Sequence, residues 1–249
     1  MLEFTSCIVV PVYNHEHAIG AVLAGLLRAG VPCLLVDDGS DAACAAVLDA
    51  LAHAHPGRVE LVRLAVNGGK GAAVLAGMRR AAQLGYSHAL QIDADGQHDT
   101  ADVPAFLELA RTCPQAIIAG HPVYDASVPK ARLYGRYATH IWVWINTLSF
   151  EIKDSMCGFR VYPVAAVNAL AARQRIGKRM NFDTDILVRL FWEGRRVINL
   201  PTRVSYPADG TSHFRVWRDN VQISWMHTVL FFGMLARLPR LLARRRPAP

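Results

Sequence analysis

What most narrows the fold of this 249-residue chain is an alternation, running from residue 7 to residue 119, of short apolar runs with longer Ala- and Leu-rich segments. Residues 7–12, 33–36, 59–64, 89–92 and 116–119 are apolar runs of strand length, nearly continuous, as expected of strands buried on both faces. Between them, residues 18–29, 42–53, 72–84 and 102–111 are long enough and rich enough in helix formers to be crossover helices. The pattern predicts an α/β fold with a mostly parallel central sheet flanked by helices. Open sheets of this kind take ligands beyond the carboxyl ends of their strands. After residue 120 the rhythm changes: 130–150 reads as a helix carrying Trp142 and Trp144, 182–193 as another helix, and 197–204 as a strand.

Charge and cysteine usage exclude several classes of function. The formal net charge is +7, but no acidic residue follows Asp219, while Arg237, Arg240, Arg244, Arg245 and Arg246 all do. The excess therefore sits in the tail, the body is nearly balanced, and no nucleic-acid-binding signature accompanies it. An anionic membrane surface ranks above nucleic acid as the partner of that tail. Five scattered cysteines without a C-x-x-C pair argue against a disulfide framework or a zinc site. Met1-Leu2-Glu3-Phe4-Thr5 has no basic leader, so the expected compartment is the cytoplasm.

The chemistry-bearing residues fall at the ends of the strand-like runs. The run ending at Ile92 continues as Asp93-Ala94-Asp95-Gly96-Gln97-His98. In extended chain, residues two apart point the same way, so Asp93 and Asp95 can approach one cation together. Mg²⁺ or Mn²⁺ suits such oxygen donors, with substrate phosphates completing the coordination, which points to a diphosphate substrate. A solvated acidic turn is the competing reading. The first run ends in Pro11-Val12-Tyr13-Asn14 and the second in Asp37-Asp38-Gly39-Ser40, an aromatic face and carboxylates suited to a base and a ribose. Asp-Asp-Gly-Ser also suits a plain turn before a helix cap. Asn67-Gly68-Gly69-Lys70-Gly71 opens a helix, where free N–H groups, the helix dipole and Lys70 favour an anion. It is not a Walker A loop, and no G-x-G-x-x-G follows the first strand.

In this order and at these strand ends, the four motifs resemble those of the family 2 glycosyltransferases, most nearly the branch of dolichol-phosphate mannose synthases and polyprenyl-phosphate sugar synthases. The resemblance spans roughly residues 6–205. It implies the GT-A (nucleotide-diphospho-sugar transferase) fold, inversion at the anomeric carbon, nucleoside contacts by Pro11, Tyr13 and Asp38, and a divalent metal on Asp93 and Asp95 with Gln97 as a further ligand. Asp37, Asn67 and Lys70 complete the expected donor site, with Lys70 offsetting charge on the leaving diphosphate.

The acceptor is less determined. A hydroxyl needs a general base, for which Asp183 and Asp185 are candidates, whereas a lipid monophosphate arrives ionised and needs positive charge to hold it. Lys130, Arg132 and Arg136 fall within two turns of a helix, Arg160 matches a family position, and His213 stands where the phosphate-acceptor branch carries Lys. Pro207 likewise replaces an expected Arg, which keeps a hydroxyl-bearing lipid in play. At the C-terminus, Phe231, Leu235, Leu238 and Leu242 fall on one side of a helical wheel, with Arg237, Arg240 and Arg244 opposite, the pattern of a helix lying in a membrane interface. The expected organisation is a transferase domain over 1–205 and a membrane-associating amphipathic tail over 206–249. The enzyme would sit at the inner face of the cytoplasmic membrane, using a nucleotide-diphospho-sugar donor and a lipid-linked acceptor. An idle sugar-nucleotide-binding scaffold is the alternative from another class.

Overall fold

The computed structural model describes residues 3–124, 130–205 and 216–244, and the side chains of all of these but 124–134 and 216. One sheet of seven strands organises the chain: β1 (Ser6–Val12), β2 (Cys33–Asp37), β3 (Val59–Arg63), β4 (His88–Gln91), β5 (Ile117–Tyr124), β6 (Arg160–Pro163) and β7 (Val197–Val204), in the order β3-β2-β1-β4-β6-β5-β7. All neighbouring pairs are parallel except those made by β6.

Alternation along β1 explains why both faces are covered. Cys7 and Val9 enter one core, whereas Ile8, Val10 and Val12 enter the other. The second core is closed by α1 (Ile19–Leu27), α2 (Ala42–Ala54) and α4 (Val103–Thr112). The first is closed by α3 (Lys70–Gln83), α6 (Val164–Arg173), α7 (Phe182–Trp192) and part of α8 (Val216–Leu235), with Leu241 of α9 (Leu238–Arg244) at its rim. The remaining helix, α5 (Lys130–Thr147), packs along α8 and α7. It ends three residues before the expected boundary at 150, where Leu148 takes φ 50°.

Two elements lie outside the sequence expectation, β6 and α6. β6 is only four residues long and contains a charged residue, so no apolar run announces it. Its direction matters for function. Because β6 runs antiparallel to β4, with Arg160 opposite Gln91, the 154–159 segment enters the sheet at the carboxyl end of β4, beside Asp93.

The tail differs from its helical wheel. Met226, Leu230 and Met234 bury one side of α8 against the domain, and in α9 it is Leu241, not Leu242, that is buried. The arginines expected to face outward partly turn inward: the Arg237 guanidinium lies 4.8 Å over the Trp192 ring and that of Arg244 lies 4.9 Å over Phe191. Cation–π attraction to α7 thus anchors the α8–α9 corner. No helix among the described residues is long and apolar enough to cross a membrane.

Candidate active site

Beyond the carboxyl ends of β1, β2 and β4 opens a cavity of ≈ 540 Å³. Of the residues expected there, Pro11, Tyr13, Asp38, Asn67, Lys70, Asp93, Asp95 and Gln97 line it. Asp37 does not. Adjacent residues of an extended strand point oppositely, so Asp37 faces away, where Arg63 Nε donates to it at 2.9 Å and the Ser40 N–H at 2.8 Å.

The glycine loop holds an anion, but one from within the chain. Asp38 accepts the N–H of Gly68 through one carboxylate oxygen and that of Gly69 through the other, both at 2.8 Å. Burial pushes the Asp38 carboxyl above its usual range, while these two N–H donors and Arg179 oppose the shift. Two residues on, the Gly71 N–H donates to the Lys178 carbonyl at 2.8 Å. Gly69 is required here on two counts: its φ is +95°, and a Cβ would fall 2.5 Å from the Lys178 oxygen. The loop therefore locks β2 and α3 to the 174–181 segment, and that segment brings Arg179 and Met180 to the cavity wall.

Lys70 is the hub of the floor. Its Nζ lies 2.7 Å from Asp93 Oδ1 and 2.7 Å from Asp183 Oδ2. Burial works against the ammonium charge, but Asp183 and Asp93 outweigh it and hold Lys70 protonated far above the ordinary lysine range. For Asp93 burial again opposes ionisation, and Lys70 and His98 overcome it, so its pKa is lowered. Asp95 shifts the other way, because burial and the neighbouring Asp93 charge both raise it, offset in part by the Gln97 N–H at 3.1 Å. Two carboxylates of one motif are thereby driven apart: Asp93 is paired with a lysine, and Asp95 faces the cavity short of a cation.

The candidate bases sit below that floor. Asp183 accepts from Gln91 Nε2 at 2.8 Å and pairs with Lys70, and neither it nor Asp185 lines the cavity. Asp185 is bonded to Arg189 Nε at 2.6 Å and to the Gly177 N–H at 2.7 Å. Arg160 is fully buried, donating through Nη1 to the Asp183 carbonyl at 2.5 Å and to Tyr162 Oη at 3.2 Å, so it braces α7 and does not reach an acceptor. Arg136 donates to both oxygens of Asp154 at 2.6 and 2.9 Å and is absent from the cavity lining. The side chains of Lys130 and Arg132, and the whole of His213, lie outside the described residues.

Asp154 explains the motif that follows it. Its Oδ1 also accepts the N–H groups of Met156 and Cys157, each at 2.8 Å, which turns the chain sharply toward Gly158. Burial resists charge on Asp154, but His140 and Arg136 prevail and keep it well below the usual carboxylate range. With its folded pKa depressed, Asp154 contributes stability above its ordinary value and loses it as pH falls toward the folded one. Arg136→Met leaves this buried carboxylate short of its main partner and is expected to cost about 3–5 kcal/mol at neutral pH. In denaturant titrations, the gap from the wild type should narrow as pH drops below about 4.

Gly158 lies directly on the Lys70–Asp93 pair: a Cβ there would come 2.5 Å from Asp93 Oδ2 and 2.6 Å from Lys70 Nζ. Gly158→Ala should displace both charged groups and lower kcat/KM by about 100-fold, since misplacement on the ångström scale carries that cost. Steady-state rates within twofold of the wild type would contradict this placement.

Sequence reasoning missed Arg179, Arg218 and Asp219, all in the cavity wall. Arg218 and Asp219 open α8, in the segment read as tail, and only the folded chain, which brings the start of that helix to the cavity, reveals them. For Arg179, the Gly177-Lys178-Arg179 run before α7 carried the available signal.

A mixed, largely parallel sheet with its site at the strand ends defines a GT-A-like fold, and solved structures share it. The crystal structure of glucosyl-3-phosphoglycerate synthase from Mycobacterium tuberculosis, in complex with Mn²⁺ and UDP-glucose, superposes with a TM-score of 0.69 at 14% identity, over 93% of this chain and 79% of that one. The Glycosyl transferase family 2 model matches residues 7–174, and the chain belongs to that family of enzymes. Similar sequences include an undecaprenyl-phosphate mannosyltransferase of Micrococcus luteus, 28% identical over 78% of this chain and 80% of that protein. A polyprenol monophosphomannose synthase of Mycolicibacterium smegmatis is 27% identical, over 94% of this chain and 88% of the relative.

Proposed function

We propose that this enzyme moves a sugar, with inversion, from a nucleotide-diphospho-sugar to the phosphate of a membrane-borne lipid, such as a polyprenyl phosphate. One observation carries the reading: both carboxylates that the sequence offered as general bases are bonded beneath the cavity floor. An acceptor that arrives ionised needs no base, only cations to orient it, and Arg179 and Arg218 line the wall. The relatives named for undecaprenyl-phosphate and polyprenol acceptors support the same reading.

Asp95, with Asp93 and the Gln97 side chain beside it, would hold Mg²⁺ or Mn²⁺. The donor set is oxygen-rich, and among the described residues Asp95 makes no ion pair, so these residues fit such an ion. When bound, the metal supplies Lewis-acid neutralisation of charge developing on the departing diphosphate. Lys70 adds a fixed positive charge and holds Asp93 and Asp183 in place. Tyr13 and Pro11 offer a face for the base, and Asp38 keeps the glycine loop closed behind it.

The surface next to the cavity suits a lipid-borne acceptor. Along α8, Trp217, Val221, Trp225, Val229 and Phe232 form a stripe at helical spacing, with Trp217 84%, Trp225 68% and Phe232 65% exposed. On α5 alongside, Ile141, Trp142 and Ile145 are also exposed, and the Trp142 ring lies 6.4 Å from that of Phe231. The stripe starts one residue before Arg218 of the cavity wall. Aromatic side chains in such a patch favour the headgroup level of a bilayer, and attachment runs through this face of α8 with the arginine tail adding charge.

A hydroxyl acceptor remains the second reading, because Asp219 does reach the cavity. Asp219→Asn separates the two. Attack by an ionised phosphate predicts a rate loss of less than about tenfold with the acid limb of the pH–rate profile retained. A general base predicts a loss of about 10²-fold or more with that limb abolished.

A further inference from the structure

A second concavity, of ≈ 230 Å³, lies at the carboxyl end of α7, away from the donor cavity. Four guanidiniums line it, from Arg173 at the end of α6, Arg189 on α7, Arg237 at the α8–α9 corner and Arg240 on α9, against the single carboxylate of Glu193. The arginines come from three parts of the chain, so no local charge run accounts for the cluster.

Three of the four are held in place by neighbours. Arg189 donates from Nε to Asp185 and from Nη1 to Gln174 Oε1 at 2.7 Å. Arg237 rests on Trp192 and donates to the Gly233 carbonyl at 2.9 Å. Arg173 Nη2 pairs with Glu193 at 2.8 Å. Among the described residues, no hydrogen bond or ion pair engages Arg240. A guanidinium carries five donors in a planar fork, and each of these spends only a fraction of them on the protein. Asp185 and Glu193 offset two of the four charges; among the described residues no carboxylate offsets Arg237 and Arg240, and the fork geometry of the cluster matches the oxygens of a phosphate.

We propose that this pocket is a second anion site that takes a phosphate group not belonging to the sugar donor. Its volume suits a phosphate head and is less than half that of the donor cavity. The same chemistry is presented by a free phosphate and by a phospholipid headgroup.

Arg173 and Arg240 are both exposed, so removing them leaves the core intact. Arg189 is unsuitable for the test, because its bond to Asp185 leads through Gly177 into the donor-site loop. Inorganic phosphate is titrated calorimetrically into the full chain at low salt, alongside Arg173→Ala/Arg240→Ala. Arg79→Ala/Arg111→Ala is charge-matched elsewhere on the surface, and Arg218→Ala controls for the donor cavity. In parallel, sedimentation measures binding to phosphatidylcholine vesicles with and without phosphatidylglycerol. The pocket predicts binding weakened about tenfold or more in Arg173→Ala/Arg240→Ala alone. Loss confined to the phosphate titration identifies a free anion, and loss confined to the phosphatidylglycerol vesicles identifies a headgroup. The proposal is overturned if neither ligand binds the wild type, if the pocket variant binds both as the wild type does, or if the charge-matched variant loses as much.

Discussion

Lys70→Ala is expected to lower the unfolding free energy by about 3–5 kcal/mol, because removing one member of a buried ionic cluster leaves the others charged and unpaired. Here the abandoned groups are two, Asp93 and Asp183, each 2.7 Å from the missing Nζ. The pH dependence has a definite sign. Without the lysine, burial is left to raise the folded pKa of Asp93 above its unfolded value, so the variant regains stability as pH falls and loses it as pH rises through the raised value. The wild type, whose Asp93 is held low, behaves oppositely at acid pH. Urea titrations at several pH values check this, and equal stabilities of the two proteins at neutral pH would contradict the hub role. Transfer activity should vanish as well, since the same change removes a fixed positive charge beside the leaving group.

Asp95→Asn has the second large effect and a contrasting signature. The amide keeps the shape and the bond from the Gln97 N–H but surrenders the charge, and the expected loss of turnover is about 10³-fold, equivalent to about 4 kcal/mol. Stability should not fall. The folded pKa of Asp95 is raised, so its ionised form is disfavoured in the folded state at neutral pH, and neutralising it relieves repulsion from Asp93. A variant that is inactive yet as stable as the wild type is what a site residue held against its own stability gives. Loss of stability in step with activity would assign Asp95 to the scaffold instead.

Much of this was legible from periodicity. β1, β2, β4 and the helices between them follow the apolar runs to within a few residues, because strands buried on both faces leave a continuous signature. β6 was not legible, since its four residues include Arg160, whose charge is tolerated only through bonds to Asp183 and Tyr162 distant in sequence or on the same strand. The site followed the same division. Residues just past strand ends, such as Tyr13 and Asp95, and Lys70 at the start of α3 were placed by their motifs. For Asp37, the twofold alternation of the strand decides against the cavity, and the sequence pair Asp37-Asp38 does not say which of the two faces in. The burial of Asp183 was not legible because Lys70 and Gln91 converge on it only in the folded chain, whereas for Asp185 the partner Arg189 stands one turn along the expected helix and only the Gly177 N–H comes from outside it. The tail wheel failed for a similar reason: Trp192 and Phe191 are the partners of Arg237 and Arg244, and nothing local predicts that contact.

The measurement that bears most directly on the proposed chemistry is nucleoside diphosphate release from a panel of UDP- and GDP-sugars, with Mg²⁺ or Mn²⁺. Purified undecaprenyl phosphate, dephosphorylated undecaprenol and phosphoglyceric acid are supplied separately as acceptors. An acceptor that brings its own charge on a lipid predicts metal-dependent turnover with undecaprenyl phosphate and little with the other two. Equal turnover with undecaprenol, or turnover with phosphoglyceric acid alone, would contradict it.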